Sequence, residues 1–190
     1  MTLTAVLFAG GESRRMGMDK AMILYQNRPL WLRQIATLRE LQPDRIQISA
    51  QIRPAWCSKE LEVVLDQPPS RGPLSGLVAT LKNLTTTHLL ALAIDLPEMT
   101  SGHLQNLLAL ARPGVGVIPS ARNCFEPLVA IYPAAAATMA EEELASNRLS
   151  LQSLARRLVE KKMARIYSVG AAELTLYRNV NSPEDLQQQA

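Results

Sequence analysis

Apolar runs and helically spaced apolar stripes alternate along the chain. Residues 3–9 (LTAVLFA) read as a buried strand. Residues 29–41 carry Leu30, Ile35, Leu38 and Leu41 at helical spacing, with Pro29 suited to the first turn, where its missing N–H is not needed. Pro43-Asp44 breaks that pattern, and residues 45–50 (RIQISA) alternate like a strand. Residues 62–65 (EVVL) form a short strand ending at Asp66, and residues 73–84 return to helical spacing. Residues 88–94 (HLLALAI) are continuously apolar and bounded by Asp95 and Pro97. That run is too short for most helices and fits a buried parallel strand.

The second half repeats the pattern. Thr100 can cap a helix over residues 101–111, and Ser150 one over residues 151–162. Residues 115–118, 128–132 and 165–169 read as strands, and the Ala-rich residues 134–144 as a helix. Ser182-Pro183-Glu184-Asp185 is a helix start: a capping serine, a proline in the first turn, then acids at the positive dipole end. Strands alternating with helices predict an α/β fold, a three-layer α/β/α sandwich around a mostly parallel sheet. No repeat or linker divides the chain, so residues 1–190 are expected to form a single domain.

Composition narrows the function classes. Apolar residues make up 47% and charged residues 19%, the balance of a folded globular chain. A net charge of +3 with scattered basic residues does not imply a nucleic-acid partner. The Arg156 to Arg165 stretch can contact a partner or an acidic phosphate, and a solvated helix face is the simpler account. Cys57 and Cys124 lack metal-ligand spacing, and two histidines make a His-based metal site improbable. No run approaches the roughly 20 apolar residues that span a bilayer. The N-terminal run lacks the charged flank of a secretory signal. A cytoplasmic protein with no membrane partner is expected.

In parallel α/β sheets, ligands collect beyond the carboxyl ends of strands. Four segments lie there. After the first strand, Gly10 and Gly11 permit close backbone approach to an anion, and Arg14, Arg15 and Lys20 can donate to phosphate oxygens. Neither a Walker A loop nor G-x-G-x-x-G is present. The alternative is a polar surface loop. Asp95 can hold Mg²⁺ together with water and substrate phosphates, or simply start a turn before Pro97. Asp66, followed by a loop with Gly72, Pro73 and Gly76, can face a base or shape a turn. Asn179 and Asn181 precede a helix start, where turn and cap chemistry is the simpler account.

Taken together, the segments carry a resemblance. Phe8-Ala9-Gly10-Gly11, Arg15-Met16-Gly17 and Asp19-Lys20 stand as the L-A-G-G, R-M-G and D-K of an N-terminal signature. Gly72-Pro73-Leu74-Ser75-Gly76 matches G-P-L-x-G, Asp95-Leu96-Pro97 matches D-x-P, and residues 179–186 match N-x-N-[TS]-P-E-D-L. Residues 126–132 (EPLVAIY) and 147–158 are also similar to the family's later segments. In this the chain resembles the molybdenum cofactor guanylyltransferases, the MobA-like branch of the nucleotidyltransferases.

The resemblance implies a Rossmann-like nucleotidyltransferase that moves GMP from GTP to the terminal phosphate of molybdopterin and releases pyrophosphate. It implies that the backbone of Phe8, Ala9, Gly10 and Gly11 wraps the nucleotide. Arg15 and Lys20 would hold its phosphates, and Asp66 would contact the guanosine. Asp95 would bind Mg²⁺, and Asn179 and Asn181 would face the pterin. GTP and molybdopterin are the implied ligands, and molybdoenzymes or cofactor-biosynthesis proteins the implied protein partners. A monomer is expected.

Two positions depart from the family pattern. Phe8 replaces a leucine, and "ISAQIR" stands where the family often has Asn after the second main strand. Ser49 or Gln51 would then supply that polar contact to base or ribose. This leaves an alternative: a CTP-dependent transferase acting on molybdopterin or on a sugar or polyol phosphate.

Overall fold

The computed structural model describes residues 1–10, 19–66 and 70–180. The strands are β1 (Leu3–Phe8), β2 (Leu24–Tyr25), β3 (Arg28–Pro29), β4 (Arg45–Ala50), β5 (Glu62–Leu65), β6 (His88–Ala93), β7 (Gly116–Ala121), β8 (Cys124–Phe125), β9 (Val129–Pro133) and β10 (Ala164–Ser168). The helices are α1 (Leu30–Arg39), α2 (Pro73–Lys82), α3 (Ser101–Leu110), α4 (Ala136–Ala145) and α5 (Leu151–Glu160), with 3-10 helices at Lys20–Met22 and Ala171–Tyr177.

The main sheet runs β10-β7-β9-β6-β1-β4-β5, with β8 paired to β7. Pairing is parallel for β1 with β4 and β6, β4 with β5, and β7 with β10. The exceptions are β9, antiparallel to β6 and β7, and β8, antiparallel to β7. The expected mostly parallel three-layer sandwich is therefore present.

Alternate residues of the central strands feed two cores, as a strand's period of two requires. Leu7 of β1 and Leu90 and Leu92 of β6 pack with Leu30, Ile35 and Leu38 of α1 and Leu104 and Leu107 of α3. Val6 and Phe8 of β1 and Leu89 and Ala91 of β6 pack with α2, α4 and α5 through Leu74, Leu77, Met139 and Leu154. Helices thus cover both faces, which is why β1 and β6 read as unbroken apolar runs. Thr100 and Ser150 cap α3 and α5 as their sequences predict, accepting from His103 N and Ser153 N. Among the described residues no helix is long and apolar enough to cross a membrane.

Some boundaries and elements differ from the sequence reading. Pro29 ends β3 and sits just before α1 rather than inside its first turn, because pairing with Leu24 in the β2–β3 hairpin keeps its backbone extended, at ψ 141°. Strand β7 continues past 118 through Pro119, whose carbonyl accepts Glu126 N–H at 2.8 Å. The β2–β3 and β7–β8 hairpins turn at Gln26-Asn27 and Arg122-Asn123, all four at positive φ. Such two-residue turns are usually signalled by glycine, and neither pair contains one. The expected helix start at Ser182 lies outside the described residues.

Candidate functional site

Every strand of the main sheet except β8 and β9 ends at one edge, and this edge gathers the sequence-predicted residues. At the end of β1, Ala9 N–H continues the ladder to Ser49 O at 3.0 Å, and Phe8 O accepts Ile94 N–H at 3.2 Å. Next to it, Phe8, Gly10, Ser49, Gln51, Asp66, Ser70, Gly72, Pro73 and Gly76 line a cavity of about 230 Å³. It brings together eight of the predicted residues from three strand ends and the start of α2. Gly11, Arg15 and Asn181 lie outside the described residues.

Two glycines in this cavity are there for stated reasons. Gly72 takes φ +81°, a region other residues rarely adopt, and turns the chain into α2. Gly76 sits where a Cβ would stand 2.5 Å from Ser49 Oγ and 3.2 Å from Asp66 Oδ1. Glycine thus lets α2 approach the ends of β4 and β5. Ser70, which sequence reasoning missed, donates to Asp66 Oδ2 at 2.7 Å and accepts from Gln51 Nε2 at 3.4 Å. Burial pushes the Asp66 carboxyl above its usual range, and the Ser70 hydrogen bond partly opposes that.

Asp95 lies just beyond β6, and Lys20 Nζ reaches its Oδ2 at 2.8 Å, with about a fifth of each side chain exposed. Lys20 is aimed by its neighbour. Asp19 caps the 3-10 helix by accepting Ala21 N–H at 3.0 Å, while its other oxygen accepts the indole N–H of Trp56 at 2.8 Å. Trp56 stacks on Trp31 of α1, ring centroids 5.1 Å apart. The loop behind Asp95 is equally tied. Gln34 Nε2 donates to Leu96 O at 2.6 Å, Arg33 Nε donates to Pro97 O, and Tyr25 OH donates to Glu98. Val180 N–H donates to Asp95 O at 2.8 Å, joining the C-terminal segment to the same loop.

A second cavity, about 640 Å³, lies on the other side of Asp95 in sheet order, beyond β9 and β7. Arg122, Cys124, Glu126, Tyr177, Arg178 and Asn179 help to line it. Of these only Asn179 was singled out from the sequence. Because β9 is antiparallel, its lead-in rather than its end reaches this edge: Ala93 N–H donates to Leu128 O at 2.8 Å. This delivers Glu126. Burial raises the Glu126 carboxyl, with Arg122 opposing and the charge of Asp95 reinforcing the rise. The signal for Glu126 was the E-P-L run before β9. Arg122 gave no comparable signal, since it is exposed by a turn without glycine.

Among the described residues no group of three or more His, Cys, Asp or Glu gathers as a metal cage. Magnesium does not need one: it is commonly held by one or two carboxylates plus substrate phosphates and water. Asp95, at a strand end and partly open to solvent, fits that donor pattern.

Residues 5–166 match the family described as the MobA-like NTP transferase domain. The chain belongs to this family. It is accordingly a nucleotidyltransferase. It is 33% identical over 186 residues to a protein of Opitutus terrae named "Probable molybdenum cofactor guanylyltransferase", covering 96% of this chain and 92% of that one. It is 30% identical over 187 residues to the "Molybdenum cofactor guanylyltransferase" of Xanthomonas euvesicatoria, covering 95% and 90%. The fold matches that of a nucleotidyl transferase from Methanothermobacter with TM-score 0.76, at 16% identity and covering 98% of this chain and 95% of that one.

Proposed function

We propose that the protein transfers GMP from GTP to molybdopterin with release of pyrophosphate, in a Mg²⁺-dependent reaction. The observation that carries this reading is the Lys20–Asp95 pair at 2.8 Å, standing between the two cavities in a chain whose relatives are named for guanylyl transfer. The first cavity takes the guanosine, with Asp66, Ser49 and Gln51 as polar contacts and Gly72, Pro73 and Gly76 permitting close approach. By the family resemblance the backbone of Phe8 through Gly11 would wrap the nucleotide, and Arg15 and Lys20 would hold its phosphates. The second cavity takes the acceptor. Asn179, which lines this cavity, would contact the pterin, a role the family resemblance also gives Asn181, and Arg122 and Arg178 are suited to its phosphate.

The chemistry asks little of a base. An oxygen of the acceptor's terminal phosphate is already anionic. It attacks the α-phosphorus of GTP, a new P–O bond forms, and the bond from that phosphorus to the bridging oxygen of the leaving pyrophosphate breaks. The obstacles are repulsion between anions and charge growing on the leaving group. Lys20 and Arg15 offset both by donating to phosphate oxygens. Asp95 would hold Mg²⁺, which supplies further neutralisation of phosphate charge when bound. Asp95 also keeps the Lys20 ammonium at the junction of the cavities. The assigned residues include no histidine, and the mechanism needs none.

A thermal-shift panel of GTP, CTP, ATP and UTP, each with Mg²⁺, tests the reading. Stabilisation by GTP above the others, followed by pyrophosphate release on adding molybdopterin, is expected. A CTP preference would overturn the guanylyl assignment.

A further inference from the structure

One buried polar cluster lies behind the second cavity and reaches its lining only through Tyr177. His103 of α3 is enclosed, its side chain 3% exposed, yet both ring nitrogens have partners. Nδ1 lies 3.2 Å from Glu173 Oε1, and Nε2 lies 2.6 Å from the hydroxyl of Tyr177. Glu173 also accepts from Tyr167 OH at 2.6 Å and, through Oε2, from Gly170 N–H at 2.9 Å. The rings of Tyr167 and Tyr177 meet the imidazole edge-on, at 5.7 and 5.4 Å between centroids.

The partners define the proton arrangement. Burial lowers the His103 pKa, with Glu173 only partly opposing, so the ring is neutral at neutral pH. Hydrogen bonds from Tyr167 and Gly170 hold the Glu173 carboxyl below its usual range, so it is an anion and accepts. A proton on Nδ1 therefore points at Glu173, and the Nε2 lone pair receives the Tyr177 hydroxyl. The other tautomer would set a lone pair against the carboxylate. In the first arrangement every member of the circuit is satisfied, which a buried polar group requires.

The circuit joins three elements: α3, β10 and the 3-10 helix Ala171–Tyr177. That helix leads within two residues to Asn179, which lines the second cavity, and within three to Val180, whose N–H holds Asp95 O at 2.8 Å. The segment presents few apolar anchors of its own: Tyr177 and Val180 are buried and Leu176 packs against the core, while most of residues 170–179 are partly or fully exposed. Apolar packing holds the segment down, and hydrogen bonds to the His103 cluster give it directional register against the Asp95 loop.

We propose that His103, through Glu173 and Tyr177, is a positioning residue that sets the wall of the second cavity against Asp95 and so governs binding of the acceptor but not of the nucleotide. The assignment of the acceptor to that cavity rests on the function proposed above. The placement of the segment does not.

The test uses His103→Leu, His103→Asn and Tyr177→Phe in the full chain. In His103→Leu the KM for the acceptor should rise about tenfold, the scale of one lost buried hydrogen bond, with the KM for GTP within about twofold of the parent. His103→Asn, whose amide can stand in for Nδ1–H toward Glu173, should recover most of that loss. Tyr177→Phe removes one hydroxyl and should show a smaller rise, and combining it with His103→Leu should add little, since both break one circuit. Hydrogen exchange should accelerate over residues 170–180, Val180 N–H included, and stay unchanged in β1 and β4. Equal changes in both KM values, or an unchanged acceptor KM, would overturn the proposal. If the parent protein does not use GTP and molybdopterin, the function reading fails on that control. Exchange then decides the positioning role alone: acceleration confined to 170–180 supports it, and no acceleration or a global one refutes it.

Discussion

The two cavities flanking Asp95 are built from different materials. The first is walled by regular elements: the ends of β1, β4 and β5 and the first turn of α2. Its shape follows from sheet register and from a missing Cβ at Gly76. The second is walled by a tight turn, the lead-in to β9 and a 3-10 helix, held by side-chain hydrogen bonds. The apolar sandwich fixes the first wall as a by-product of folding. Directional polar contacts fix the second, and each of these can be removed singly.

Asp95 stands between the two and should answer for both. Asp95→Asn keeps the volume but loses the charge that holds Lys20, and kcat/KM for pyrophosphate release should fall by about a hundredfold or more. Its melting temperature should stay within a few degrees, because the carboxylate is partly exposed and unpaired burial is not created. Activity near the parent level would remove Asp95 from the reaction.

A milder pair of substitutions separates the cavities. Gly76→Ala forces the buried Ser49 hydroxyl to move and crowds Asp66. It should weaken GTP binding by about tenfold while the acceptor KM holds, a change read by calorimetry and steady-state kinetics. Arg122→Ala should do the reverse, raising the acceptor KM by about tenfold with GTP binding unchanged. Either substitution moving both constants would collapse the distinction.

The smallest expected effect is in acid. Glu143 of α4 is fully enclosed. Burial pushes its carboxyl up, but hydrogen bonds from Arg157, Arg148 and Ser153 outweigh this and hold it below its usual range. Glu173 is also held low. A depressed carboxyl stabilises the fold above its unfolded pKa of about 4.3 and loses that contribution as the pH falls through the folded value. Asp66, raised by burial, has the opposite sign: its cost exists above its folded pKa and disappears on acidification. As the pH falls below about 4.3, hydrogen-exchange protection relative to the intrinsic rate should therefore fall first in α4, α5 and residues 170–177, and Glu143→Gln should flatten that trend. Uniform loosening across β1 and β4 would contradict it.

Legibility in the sequence follows the same divide. Strands β1, β4, β5 and β6 announce themselves because burial on both faces demands unbroken or alternating apolar residues, and residues just beyond their ends were accessible by counting. The family motifs then supplied roles for Asp66 and Asp95. The second cavity was mostly invisible. Glu126 arrives there because β9 runs against its neighbours, a pairing that periodicity does not encode. Arg122 sits in a primed turn without glycine, and the helix Ala171–Tyr177 is too short to show a stripe. His103 looked like a solitary histidine on a helix, since its partners lie some seventy residues downstream. Ser70 was hidden within a loop whose glycines and prolines spoke only of turns.

The tryptophan stack has an optical consequence. The chain's two tryptophans are stacked on each other, and one of them donates to Asp19, the residue next to Lys20. Indole emission depends on stacking and on hydrogen bonding of the ring nitrogen, so tryptophan fluorescence from this chain, excited selectively over its four tyrosines, comes from one place, beside Asp19. Any ligand that draws Lys20 toward phosphate and shifts Asp19 will register in that signal, giving a label-free clock for nucleotide arrival.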